Sequence, residues 1–182
     1  MAQTIVVITF YSRSGATEKL ATAAAVGAVQ ARAGIRMRRL PDADLETTLE
    51  RFPASREHLH RMQKEYVPPR EADILAADVL ICGTPSDLSA SSPEWAPYFT
   101  MLDKLKAEGK LHGKVGAPVG EGPAIDAFAS ALGQLGLIPV SPAEPTNGAG
   151  VAFDEVGRAV ALGRQAVAVA EALKQKAHPP AA

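Results

Sequence analysis

Three hydroxyl side chains fall close together near the N-terminus: Ser12, Ser14 and Thr17, interleaved with Arg13, Gly15 and Ala16. They lie between a β-branched apolar run, Ile5-Val6-Val7-Ile8-Thr9-Phe10, and a helical pattern with Leu20, Ala24, Gly27 and Ala31 on one face. The chemistry such a stretch offers is anion binding. The first amides of a helix have no partner inside it, and the helix dipole places partial positive charge there. The hydroxyls add donors, and Gly15 lets backbone and ligand approach closely. With no lysine in the loop, the ligand that fits is the terminal phosphate of a monoester. The competing reading is that Ser and Gly only cap the helix.

Other phosphate chemistries are excluded by what is missing. No stretch matches G-x-x-x-x-G-K-[ST], and no G-x-G-x-x-G follows the first strand. No Ser-His-Asp or Cys-His arrangement suggests a covalent nucleophile. His58 and His60 stand two apart in a helical pattern, so they face different directions. His112 and His178 have no ligand-like neighbours, and no metal is expected. Cys82 sits in an apolar run and reads as a packed, inert thiol.

The elements that would position the hydroxyl loop follow from periodicity. The opening run reads as an interior strand of a parallel sheet. Residues 35–40 alternate like an edge strand whose Arg36 and Arg38 protect it; a role for them on a nicotinamide-dinucleotide phosphate is the lesser alternative. Residues 41–70 are expected to form an irregular insert, with Pro53 separating two short helical candidates, and 71–76 allows one helical turn. Residues 78–85 form a buried strand, and a polar loop runs from Ser86 to Ser92. Ser91 or Ser92 is expected to cap the next helix, with Pro93 in its first turn. Strands at 113–119 and 137–140, a helix from Pro123 to Leu135 and a last helix from Asp154 to Lys176 complete the chain. Asn147-Gly148 marks a turn, and His178-Pro179-Pro180 ends the last helix. Five alternations predict a single α/β domain with a five-stranded parallel sheet in the order 2-1-3-4-5. Any ligand cleft then lies at the strand C-ends, where the order reverses.

Composition sets the setting. The 182 residues suit one domain, and 47% of them are hydrophobic. A net charge of −1 offers no case for nucleic acid or an anionic membrane. One cysteine, no leader pattern and no bilayer-length apolar stretch lead to the expectation of a cytoplasmic protein.

Tyr11-Ser12-Arg13-Ser14-Gly15-Ala16-Thr17-Glu18-Lys19-Leu20-Ala21 resembles the FMN-phosphate loop of flavodoxin-like proteins, in particular the WrbA-type NAD(P)H:quinone oxidoreductases. Ala77 to Pro85, ending Gly83-Thr84-Pro85, is similar to that family's third strand, and Gly109 to Gly116 to its lead into strand 4. The resemblance implies FMN as cofactor, NAD(P)H and a quinone-like acceptor as partners, and a flavodoxin-like three-layer fold. It implies that Ser12 to Thr17 hold the phosphate. The ring would lie between Thr84, Pro85, Ser86, Asp87 and Leu88 on one side and Gly120 and Gly122 on the other.

The ring half departs from the family pattern. Ser86-Asp87-Leu88-Ser89 lacks the aromatic and glycine that usually follow Thr-Pro, and the third loop is only Val119 to Pro123. Trp95 or Tyr98 is a candidate substitute for the missing aromatic. Asp87 and Glu121 are candidates to oppose negative charge on a reduced flavin; the alternative is that both face solvent. Three readings therefore stand: an FMN-dependent oxidoreductase, an FMN-binding electron carrier, and a flavodoxin-fold binding module that has lost flavin. A homodimer is expected on the apolar surfaces of the last helix (Ala159, Ala166, Ala168) and of the helix bearing Trp95, Tyr98 and Phe99. A monomer follows if these residues face the core.

Overall fold

The computed structural model describes residues 3–120, 122–141 and 154–177. Five parallel strands form one sheet in the order β2-β1-β3-β4-β5: β1 Ile5–Phe10, β2 Gly34–Arg39, β3 Val79–Thr84, β4 Val115–Gly120 and β5 Ile138–Pro139. The interior strands carry the continuous apolar runs that burial on both faces demands. The two edges differ: β2 alternates with arginines, and β5 is a two-residue strand containing a proline. The register pairs Phe10 with Gly83 and Thr84 with Gly120, so β1, β3 and β4 end at one level and their loops open on one rim.

Helices cover both faces. Val6, Ile8 and Phe10 point to the side of α1 (Ala16–Gln30) and α7 (Glu155–Ala177). Val7, Tyr11, Leu80 and Cys82 point to α5 (Ala96–Ala107) and α6 (Ala124–Gln134). The thiol of Cys82 is fully buried, and desolvation pushes its pKa up to about 12, as an inert packed thiol requires. On the first face α1 and α7 meet backbone to backbone. A Cβ at Gly27 would collide with the Val160 carbonyl, and one at Gly163 with the carbonyl of Ala24. Alanines line the rest of this crossing, so the helices sit closer than larger residues permit.

The second face is aromatic. Trp95 packs edge-on against Tyr98, Phe99 and Phe128, with centroid separations of 5.8, 6.0 and 4.9 Å. Trp95 and Tyr98 are therefore core residues, and neither replaces a ring-stacking aromatic at the rim. The same burial removes the surfaces on which a dimer was expected. Trp95, Tyr98 and Phe99 are interior, as are Ala159 and Ala166, and only Ala168 of that set is exposed. The expected side-chain cap of α5 is also absent. Ser92 Oγ instead accepts from the Ser89 amide at 2.9 Å, and a turn over residues 92–95 leads into the helix.

The insert is more ordered than its composition suggests. It contains α2 (Leu45–Arg51), a 3-10 turn (Pro53–Ser55) and α3 (Arg56–Glu65), followed by α4 (Glu71–Ala76). Asp44 caps α2 by accepting from the Thr47 amide at 3.0 Å. Leu59 and Met62 plug α3 into the α1 side of the core. Arg36 and Arg38 are committed to Asp73 of α4, Arg38 through contacts of 2.7 and 2.8 Å. That pairing holds the Asp73 carboxyl below the usual range, and the arginines serve as a tether. Among the described residues no helix is long and apolar enough to cross a membrane. The Asn147-Gly148 turn, Glu121 and the 178–180 stop lie outside the described residues.

Candidate functional site

A cleft of about 220 Å³ opens on the rim formed by the ends of β1, β3 and β4. Ser12, Arg13, Ser14, Ala16 and Thr17 line one wall; Thr84, Pro85, Ser86, Asp87 and Gly120 line the other. Leu20 of α1 forms part of the lining and was not foreseen from sequence, although its place on the apolar stripe next to the loop is the signal for it.

The first wall is built from below. Ser12 is 1% exposed, and its Oγ accepts from the Gly15 amide at 3.1 Å, which leaves its proton free to donate. Gly15 takes φ +90°, a left-handed conformation that suits glycine, and swings the chain into α1. It does not itself line the cleft. The first helical bond runs from the Lys19 amide to the Gly15 carbonyl at 3.0 Å. The amides of Ala16, Thr17 and Glu18 therefore have no acceptor within the helix. Thr17 is 6% exposed, while Ser14 and Ala16 face solvent.

Two sets of contacts from outside the loop hold it, and neither is visible in the motif. Arg39, at the end of β2, donates through Nη2 to the Ser12 carbonyl at 3.3 Å and to both Asp42 oxygens at 3.1 Å. Both side chains of this pair are almost fully buried, and Tyr11 donates to Asp42 at 3.0 Å. Burial, followed by the Asp42 charge, raises the Tyr11 pKa well above its usual value, so Tyr11 remains a donor. At the first turn of α1, Glu18 accepts from Arg61 at 2.5 and 3.0 Å and from the Tyr66 hydroxyl at 2.8 Å. Burial pushes the Glu18 carboxyl up, but the bonds from Arg61 and Tyr66 outweigh it and the net shift is downward. Glu18 thus stays ionised beside the anion loop, neutralised by Arg61, and the insert is locked to the start of α1.

The second wall is tied across the cleft. Arg13 Nη2 contacts both oxygens of Asp87 at 2.5 Å, joining the loop after β1 to the loop after β3. The Arg13 guanidinium also lies 4.5 Å from the centroid of Phe52, from the insert. Hydrogen bonding to Arg13 holds the Asp87 carboxyl below the usual carboxylate range. Asp87 is therefore neither a bare charge in the cleft nor a group facing only solvent; Arg13 offsets it. Phe52 is an aromatic in contact with this pair. Sequence reading missed it because it lies more than thirty residues from either loop.

Two expected ring contacts lie outside the lining. Leu88 packs against the aromatic core, and Gly122 stands behind Ser86, where an added Cβ would lie 3.5 Å from the Ser86 Cβ. Gly120 does line the cleft, and a Cβ there would collide with the Thr84 carbonyl.

No family model matches the chain. Curated relatives do. A "NAD(P)H dehydrogenase (quinone)" from Archaeoglobus fulgidus is 30% identical over 115 residues, covering 62% of this chain and 58% of the relative. A "NAD(P)H dehydrogenase (quinone) 3" from Rhizobium meliloti is 29% identical over 114 residues, covering 63% and 51%. The chain thus spans about half the length of the curated relatives it matches. Among solved structures, a flavodoxin, WrbA-like protein from Agrobacterium tumefaciens superposes with a TM-score of 0.62 at 19% identity, covering 93% of this chain and 99% of that one. The two-electron reduced flavodoxin of Megasphaera elsdenii superposes with a TM-score of 0.58 at 20% identity, covering 90% and 98%. Strand order, layer arrangement and these superpositions agree: the chain has the flavodoxin-like fold, and its sequence is similar to NAD(P)H dehydrogenase (quinone) proteins.

Proposed function

We propose that this protein is an FMN-dependent oxidoreductase that passes electrons from NAD(P)H to a quinone-like acceptor. The observation that carries the reading is the loop after β1. Free helix amides, the buried Ser12 and Thr17 hydroxyls and the exposed Ser14 converge on one wall of a rim cleft. The donor set fits a phosphate monoester: it is rich in hydrogen-bond donors, and the neighbouring Glu18 is neutralised. The names of the curated relatives point to the same reaction class.

Ser12, Ser14, Thr17 and the amides of residues 16–18 would hold the FMN phosphate. Thr84, Pro85, Ser86 and Gly120 would face the ring. Bound flavin supplies the two-electron chemistry; the chain supplies binding, orientation and electrostatics. Arg13 is the cation closest to the ring wall, and it balances Asp87. The buried Arg39–Asp42 pair keeps the Ser12 carbonyl fixed, so the loop holds its shape before ligand arrives. No side chain is required as a covalent catalyst.

The cleft volume favours a second reading. A volume of about 220 Å³ is below the roughly 300 Å³ at which ordinary small-molecule sites begin. With the Arg13–Asp87 contact closed, the fold could serve as a binding module without flavin. FMN titrated into the apoprotein separates the readings. Saturable quenching of flavin fluorescence, followed by bleaching of the visible band on adding NADH or NADPH, supports the oxidoreductase. Quenching without bleaching identifies an electron carrier. No quenching at any FMN concentration rejects both.

A further inference from the structure

On the α5 side of the sheet there is a second hollow, of about 260 Å³, sharing no residue with the rim cleft. It lies between the chain leaving β2 and the end of the insert on one side and the start of α5 on the other. Half of its ten lining residues are prolines: Pro41, Pro68, Pro69, Pro93 and Pro97. Proline fixes its own φ, so walls of this kind are formed before a ligand arrives and lose little freedom on binding. Leu40, Tyr98 and Met101 complete an apolar lining.

One charged side chain, Glu94, lines this hollow. Its Oε2 is sealed from solvent and accepts no hydrogen bond, and Glu94 forms no ion pair among the described residues. The cation that lies over Tyr11, Arg39, gives its Nη2 to Asp42; its buried Nε has no partner and forms no hydrogen bond or ion pair with Glu94. With Oε2 sealed, the carboxylate meets a ligand through Oε1, and a cation there offsets the charge that burial of Oε2 leaves uncompensated. What is missing is a cationic donor, and what surrounds it is apolar.

We propose that this hollow binds a small aromatic or alicyclic primary amine, with its apolar body between the proline walls and Tyr98 and its ammonium on Glu94. The volume suits a single-ring body. Burying it supplies the affinity, and the ammonium supplies the selectivity by pairing the stranded carboxylate. A neutral isostere of the same shape gains only the first contribution, and an anionic one is repelled.

The test uses the whole protein, with and without FMN, and benzylamine as the probe. Trp95 is the sole tryptophan, and its ring lies 5.8 Å from that of Tyr98, so its fluorescence reports on the hollow. Saturable binding is expected, with amide NMR shifts centred on Leu40, Ala43 and Met101. Benzyl alcohol should bind about tenfold more weakly, and benzoate not at all. Glu94→Gln should lose about tenfold for benzylamine while leaving benzyl alcohol binding and the melting temperature unchanged. Several results overturn the proposal: no saturation, equal affinity for benzylamine and benzyl alcohol, or an unaffected Glu94→Gln variant. Shifts centred on residues 12–17 also overturn it. So does self-association that fills the hollow without probe, which would identify a second copy as the occupant. Because the two clefts share no residue, failure of FMN binding leaves this result unchanged, and the converse holds.

Discussion

On the wall formed by residues 12–17, the deepest support is interior: Arg39, on the Ser12 carbonyl and on Asp42, forms a pair whose side chains are 3% and 1% exposed, while the part-buried Ser12 Oγ–Gly15 contact and the bonds of Arg61 and Tyr66 to the largely buried Glu18 add to it. On the opposite wall, the cross-cleft contact is Arg13 on Asp87, whose carboxylate side chain is 54% exposed. Interior pairs are costly to break and little screened; exposed pairs contribute little and fade with salt. One wall is therefore pre-shaped and the other adjustable. The expectation is that affinity comes from the rigid wall, and access and choice of ligand from the loose one.

The largest effect should come from attacking the rigid wall at its support. Arg39→Met strands Asp42 in the interior and should cost about 3–5 kcal/mol of stability in urea unfolding. A loss under about 1 kcal/mol would show that Tyr11 and Gln63 alone satisfy Asp42. Next comes the ligand itself. Riboflavin lacks the phosphate and should bind at least about a hundredfold more weakly than FMN by calorimetry, the equivalent of two charge-assisted hydrogen bonds. Equal affinities would place the binding energy on the loose wall and invert the comparison.

A smaller change follows from a single hydroxyl. Thr17→Val should weaken FMN by about 1–3 kcal/mol, and an unchanged affinity would make that hydroxyl purely structural. The smallest stability effect belongs to the loose wall. Asp87→Asn should alter folding stability by less than about 1 kcal/mol, yet speed FMN association and steepen its salt dependence in stopped-flow mixing, because it leaves the Arg13 cation unpaired. The same pair sets an acid response. The Asp87 carboxyl is depressed in the fold, so the contact is fully present above the unfolded value near pH 4 and is lost as pH falls through the depressed folded value. FMN association in the wild type should therefore approach the variant's rate at low pH; a rate insensitive to pH would show that the pair does not restrain the mouth.

The rigid wall was legible in the sequence as a location, not as a mechanism. A β-branched run, a hydroxyl-rich turn and a helical stripe are local patterns, and β1 and α1 follow them closely. The sheet order was legible because strand burial is written in composition: arginines on β2, uninterrupted apolar residues on β1 and β3. What supports the loop was not, because Arg39 at the end of β2 and Arg61 and Tyr66 in a polar insert act across 27 to 48 residues. That insert contributes only Leu59 and Met62 as fully buried apolar anchors, too few to imprint a helical period. Trp95 illustrates the reverse error. An aromatic near a loop reads as a ligand contact until the direction of the following helix is known, and here that direction turns it inward.

The backbone-to-backbone crossing of α1 and α7 has a consequence for how the protein comes to be made. The anion loop belongs to the first fifth of the chain, yet the alanine and glycine face of the helix it opens stays bare until α7 docks. A ribosome delivers α7 after every other described element. The nascent chain can thus complete all four of the sheet's strand pairings while α1 still lacks its neighbour. Because non-local contacts close last, the site encoded earliest in the chain should become competent latest, and a stalled nascent chain lacking α7 should hold a largely built sheet that cannot yet retain its ligand.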